Sequence, residues 1–215
     1  YMSNIYLLDC TLRDGGYVNN WVFGADGIQG MKEGLEQAGV DMIELGFIRN
    51  ECVDLDRSVF SDAADLHSRI AKEDRAAIYS AMIEGTDPEG CYPIDRLGTP
   101  VESGIDLIRV CTWKRLMKEH LSYCRGIAAH GYLISVQPTA VEQYSLNEFT
   151  ELLKRADGIQ PFSFYIVDTW GTQSPLQISR YLELAERYLN PNIKIGYHGH
   201  NNKMQTLSCV QSALS

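Results

Sequence analysis

SFYIVDTWGTQSPLQISRYLELAERYLNPNIKIGYHGH, residues 163–200, reads as one complete strand–helix–strand unit. The run at 164–168 is aromatic and β-branched, and a second such run follows at 193–198. Between them Ser174 and Pro175 form a helix start: serine can cap the first turn, and proline at the first helical position gives up an N–H that would have no partner anyway. The first run is near-continuously apolar, which suits a strand of a parallel sheet covered on both faces. A helical crossover between two such runs is how parallel neighbours are joined.

The same alternation extends toward the N-terminus. Strand-like runs lie at 5–12, 42–47, 76–83, 106–112 and 133–138. Amphipathic segments separate them, with Gly39, Gly131 and Gly158 as helix stops and Ser58 as the N-cap of a helix over 58–73. Residues 85–104 are less regular and carry a short helix at most. Seven strand-to-helix units predict an α/β fold, a TIM (β/α)8 barrel. Such a barrel usually takes about 250 residues, and the chain has 215. The expectation is a single barrel domain over 1–215, truncated at its C-terminal end, with the last unit missing. A doubly wound sheet fits less well, because no GxGxxG or Walker-type loop is present.

Composition excludes several functions. The formal net charge of −9 argues against a nucleic-acid or anionic-membrane partner. The six cysteines form no CxxC pair, which points to free thiols in a reducing compartment. No apolar run reaches the roughly 20 residues of a membrane span, and no signal-peptide pattern opens the chain. A cytoplasmic protein is expected.

In a barrel the active site lies at the carboxyl ends of the strands. His198 and His200 are two residues apart, so on a strand both imidazoles face one side. An isolated HxH is equally compatible with two hydrogen-bonded strand histidines. With a carboxylate it makes a common site for a divalent cation, and Asp14, at the mouth of the first strand, is the natural third ligand, with the Asn202 amide oxygen further on. Arg13, before Asp14, could hold a substrate carboxylate or stabilise an enolate oxygen. Gly15 and Gly16 let the backbone turn there. Glu44 sits in an apolar strand, where a carboxylate is costly unless paired, and Arg13 is its expected partner. Asp168 could be a ligand or only a helix-entry cap. Arg109, Thr112 and Gln137 also fall at strand ends. His67, His120 and His130 fall in helical segments and are expected at the surface; Cys10 and Cys111 are expected in the core.

DCTLRDGG at 9–16, IELGF at 43–47, DTWG at 168–171 and GYHGHNN at 196–202 together resemble the signatures of the DRE-TIM metallolyase superfamily, which includes HMG-CoA lyase, isopropylmalate synthase and 4-hydroxy-2-oxovalerate aldolase. LDCTLRDGGY most resembles the aldolase-like branch. The resemblance implies a metal-dependent aldolase or lyase acting through the enolate of pyruvate or a related 2-oxo acid. Asp14, His198, His200 and Asn202 would be the metal ligands. Arg13 would stabilise the enolate, Glu44 would orient Arg13, and Thr169 would contact the 2-oxo acid carboxylate. Mn2+ or Mg2+ is implied ahead of Zn2+ or Co2+, with a 2-oxo acid and an aldehyde as small-molecule partners and a homo-oligomer compatible with the pattern. Two alternatives stay open: a Claisen-type acyltransferase, and a metal-binding barrel without aldolase activity. The second arises because Tyr17 stands where the aldolases carry a histidine base, so the base would be Tyr17 or a metal-bound hydroxide.

Overall fold

A computed structural model of the chain describes residues 5–70, 76–84 and 91–214. These form two compact units. The first holds the described residues up to 84 together with 91–109 and 127–133; the second holds 110–126 and 134–214.

The first unit opens with β1 (Leu8–Asp9), the one-turn helix α1 (Thr11–Asp14) and a 3₁₀ turn at Gly15–Val18. The expected strand over 5–12 is therefore much shorter. Asp9 explains it: its carboxylate accepts from both the backbone N–H and the hydroxyl of Thr11, at 2.9 Å each. The N–H groups of Arg13 and Asp14 then close onto the Cys10 carbonyl. This local bonding competes with the strand ladder and turns the chain into a helix.

Helix α2 (Ala25–Gln37) leads through Gly39, whose φ is +75°, to β2 (Met42–Ile48). All seven β2 residues are buried, as a parallel strand covered on both faces requires. An additional short strand, β3 (Val59–Phe60), pairs with its end. The helix expected from Ser58 thus begins later, as α3 (Ala63–Ile70), where Asp62 Oδ1 accepts from Asp65 N at 2.9 Å as a cap does; residues 71–73 of that expected helix lie outside the described residues. Strand β4 (Ile78–Glu84) pairs with β2 in parallel, with a bulge between Glu44 and Phe47. Gly46 makes this possible: its φ is +150°, and a Cβ there would fall 1.9 Å from the Ser58 carbonyl oxygen. The irregular segment gives a 3₁₀ turn at Ile94–Leu97 and α4 (Pro100–Ser103), with 85–90 outside the described residues. Strand order in this unit is β1-β2-β4, with β3 on β2.

Strand β5 (Leu107–Thr112) and helix α5 (Met117–Ala129) precede β6 (Leu133–Pro138). The second unit then runs through α6 (Leu146–Asp157), β7 (Ser163–Asp168), α7 (Pro175–Tyr188), β8 (Lys194–Gly199) and α8 (Thr206–Ala213). Helices α6 and α7 start at capping boxes, Ser145 with Glu148 and Ser174 with Gln177, the second where the sequence places it. Phe149 of α6 packs edge-on against Phe164 of β7 and Tyr181 of α7, with ring centroids 6.0 and 4.8 Å apart. The order is β6-β7-β8, and the parallel register sets Asp168 beside Gly199. All seven expected strands are present, each leading into helical structure, and the fold is the α/β architecture of the (β/α)8 barrel class. Among the described residues no helix is long and apolar enough to cross a membrane.

Candidate active site

In the first unit the polar residues gather around Glu44, which is fully buried. Its Oε2 accepts from Arg13 Nε at 2.8 Å and from Arg109 Nη1 at 2.6 Å. Arg13 also donates from Nη1 to Asp14 Oδ1 at 2.6 Å, so one guanidinium is gripped by two carboxylates. Burial by itself would lower the Arg13 pKa, but Glu44 and then Asp14 outweigh it and hold the pKa above its ordinary value. The same burial, with Glu44 next in effect, pushes the Cys10 thiol up to about 11, so it is a neutral thiol near pH 7 and a poor nucleophile. Cys10 and Cys111 are half-buried, less enclosed than expected.

Two buried side chains hold the turn that carries Arg13. Ser58 donates to the Leu12 carbonyl at 2.6 Å, and the Trp21 indole N–H donates to the Arg13 carbonyl at 2.7 Å. The Trp21 ring lies against Gly16, where a Cβ would come within 2.0 Å of it. The second glycine of RDGG is therefore a seat for an indole. Tyr17 follows, 58% exposed, and its hydroxyl donates to Glu84 Oε1 at 3.2 Å.

In the second unit the ends of β7 and β8 are locked together. The His198 and His200 ring centroids are 5.0 Å apart, and both residues are half-buried. His200 Nδ1 lies 2.9 Å from the Asp168 carbonyl oxygen. A carbonyl oxygen can only accept, so Nδ1 is the donor in that contact. The Asp168 carboxylate accepts from the N–H groups of Thr172 and Gln173, at 3.0 and 3.1 Å. Of its two expected roles, this geometry is that of the cap. Gly171 has φ +59°, and a Cβ there would lie 2.4 Å from the His200 carbonyl oxygen, so only glycine lets DTWG pack on the GHNN turn. Asn202 lies beyond the strand, exposed, and donates from Nδ2 to the Trp170 carbonyl at 2.7 Å. Thr169 Oγ1 accepts from Ala140 N at 2.7 Å.

No protein-family model matches the chain. Its similarity to characterised proteins is nevertheless extensive. The 4-hydroxy-2-oxovalerate aldolase of Pseudomonas putida is 24% identical over 208 residues, covering 93% of this chain and 57% of the aldolase. An oxaloacetate decarboxylase of Mycobacterium tuberculosis is 25% identical over 206 residues, covering 91% of this chain and 56% of that protein. The chain thus spans little more than half the length of these relatives. The hydroxymethylglutaryl-CoA lyase of Pseudomonas aeruginosa shares its fold, with a TM-score of 0.76 at 15% identity over 98% of this chain and 73% of that one. The chain is thus similar to proteins of the DRE-TIM metallolyase superfamily.

The Arg13–Glu44 pair is formed as the sequence suggests. Sequence reasoning noticed Arg109 at a strand end but gave it no role, although an arginine inside the apolar run LIRVCT demands a buried partner as Glu44 does. Trp21 and Glu84 were also missed. Trp21 had only its spacing from Gly16 to mark it. His120 corrects an expectation: it is buried, and its Nδ1 accepts from Trp113 N at 3.0 Å, which ties α5 to the end of β5. His67 is exposed and His130 half-buried.

Proposed function

We propose that this protein is a divalent-metal-dependent carbon–carbon lyase working through the enolate of pyruvate or a related 2-oxo acid, with a 4-hydroxy-2-oxo acid as its aldol substrate. The observation that carries this reading is the buried Arg13–Glu44–Arg109 cluster beside Asp14. Two of the five N–H donors of Arg13 are used inside the cluster, and its plane is fixed before any substrate arrives. A guanidinium held in this way stabilises a developing enolate oxygen without reorganising during the reaction.

Asp14, His198 and His200 are the proposed metal ligands, with Asn202 as a further oxygen donor. The imidazole chemistry fits a cation: His200 Nδ1 is turned to a backbone carbonyl, the usual outer contact of a metal-binding histidine. When bound, Mn2+ or Mg2+ would act as a Lewis acid on the 2-oxo acid and orient it. Thr169, whose oxygen already accepts from Ala140, has its hydroxyl proton to donate to the substrate carboxylate. The relatives' names support the reading, since aldol cleavage and oxaloacetate decarboxylation both release the enolate of pyruvate.

The test is deuterium exchange into the methyl group of pyruvate in D2O, followed by NMR with Mn2+ or Mg2+ present. Metal-dependent exchange is expected; its absence with Mn2+, Mg2+, Co2+ and Zn2+ alike overturns the enolate reading. For the ligands, calorimetry of Mn2+ binding should show His198→Ala and His200→Ala each weakening affinity by more than about tenfold. Unchanged affinity would remove that histidine from the site.

A further inference from the structure

Resting on the lyase reading above, we propose that Tyr17 and Glu84 form the proton relay that deprotonates the 4-hydroxyl of the aldol substrate. Tyr17 is the catalytic residue that touches substrate, and Glu84 is the positioning residue that receives the proton through it.

The geometry builds this pair from three directions. Tyr17 lies on the 3₁₀ turn that follows Arg13 and Asp14. Its ring meets Trp21 and Phe47 edge-on, with centroids 5.0 and 6.2 Å apart. Its hydroxyl donates to Glu84 Oε1, at the end of β4. The other Glu84 oxygen accepts from Arg49 Nη2 at 2.8 Å. Arg49 is fixed in turn by lying over the same two rings, 4.3 Å from the centroid of Trp21 and 4.2 Å from that of Phe47. A largely exposed side chain is thus oriented by a clamp of two aromatic rings, a carboxylate and a guanidinium. Its O–H is aimed at a base, and a phenolic oxygen can accept as well as donate.

A phenol has an ordinary pKa near ~10 and is a weak base while neutral. The relay removes that difficulty, because Tyr17 never has to be ionised in the resting protein. The substrate hydroxyl proton passes to Tyr17 Oη as the phenolic proton passes to Glu84 Oε1. The O–H bonding pair becomes the π bond of the leaving aldehyde. The C3–C4 bonding pair becomes the C2–C3 double bond, and the ketone π pair moves onto oxygen. One negative charge leaves Glu84 and one appears on the enolate. Glu84 then loses its proton to solvent, and C3 takes one from solvent.

The experiment compares two reactions of one preparation: cleavage of 4-hydroxy-2-oxovalerate and decarboxylation of oxaloacetate. Decarboxylation ends in the same enolate but has no hydroxyl proton to remove. For both Tyr17→Phe and Glu84→Gln, the cleavage-to-decarboxylation ratio is expected to fall by about 10²-fold or more, the usual worth of a general base. Glu84→Asp should recover part of it. The ratio does not depend on how much of a variant is folded, and the exposure of Tyr17 lets Tyr17→Phe keep the fold. An unchanged ratio means a structural role and overturns the relay. A wild-type protein that decarboxylates oxaloacetate and exchanges pyruvate but cleaves no 4-hydroxy-2-oxo acid also overturns the relay, while the lyase reading stands. Failure of all three reactions overturns the lyase reading itself, and the relay with it.

Discussion

Glu44→Ala is expected to destabilise the first unit by about 3–5 kcal/mol, the cost of leaving buried charge uncompensated. Arg109 is fully buried, Arg13 nearly so, and both donate to one oxygen of this carboxylate. Removing it takes away the carboxylate that both guanidinium groups share, while Arg13 keeps its ion pair with Asp14. Denaturant unfolding of wild type and variant measures the difference. Glu44→Gln separates charge from volume, since it keeps the shape and loses only the charge. The double variant Glu44→Gln/Arg109→Met should be more stable than Glu44→Gln alone, because it also removes one of the two buried charges that the Glu44 carboxylate faced. A loss below about 1 kcal/mol for Glu44→Ala would place the cluster among ion pairs that contribute little. The other carboxylate oxygen, Oε1, is buried without a hydrogen-bond partner. The pair is therefore not built for stability alone, since a fully satisfied apolar core would do that better. What it achieves is a fixed guanidinium beside Asp14.

Much of this was legible in the chain, for reasons that differ by element. The helices α6 and α7 announce themselves because their signals are local: a serine cap, a glutamate or glutamine three residues on, and for α7 a proline. Strands β2, β5 and β7 are near-continuous apolar runs, as a strand buried on both faces permits. The errors fall where a local bond or a distant partner overrides the pattern. Asp9 turns an apolar strand into a helix by capturing Thr11. Ser58, a plausible cap, spends its hydroxyl on the Leu12 carbonyl instead, so its neighbours extend as β3 and the helix waits for Asp62. In the site, Arg13 with Glu44 could be paired from the cost of burying either alone. Arg109 obeys the same rule but lies 65 residues from its partner, and no periodicity links them. Glu84 could not be found at all from the sequence, because its meaning depends on Tyr17 and Arg49 meeting it across two strand ends.

Arg13→Lys is expected to reduce metal-dependent pyruvate exchange by about 10²–10³-fold, the loss seen when one preorganised donor to a developing oxyanion is removed. The substitution keeps a positive charge, so it isolates geometry. The arginine uses Nε for Glu44 and Nη1 for Asp14, at 2.8 and 2.6 Å, and these two contacts fix the plane of its remaining N–H donors. An ammonium has three rotatable donors on one nitrogen and cannot span both carboxylates and also reach a third oxygen in a fixed direction. It would settle between Glu44 and Asp14 and satisfy the buried charge there, so stability should change far less than in Glu44→Ala. Affinity for Mn2+ should remain within about threefold of wild type, since the proposed ligands and their outer contacts are untouched. The three measurements together decide the role. Exchange within about fivefold of wild type would show that any cation at this position suffices, and the enolate reading would then rest on the metal alone. Equal losses in exchange and metal affinity would make Arg13 a support for Asp14. Loss of exchange with metal affinity retained is the outcome that assigns the guanidinium to the enolate oxygen.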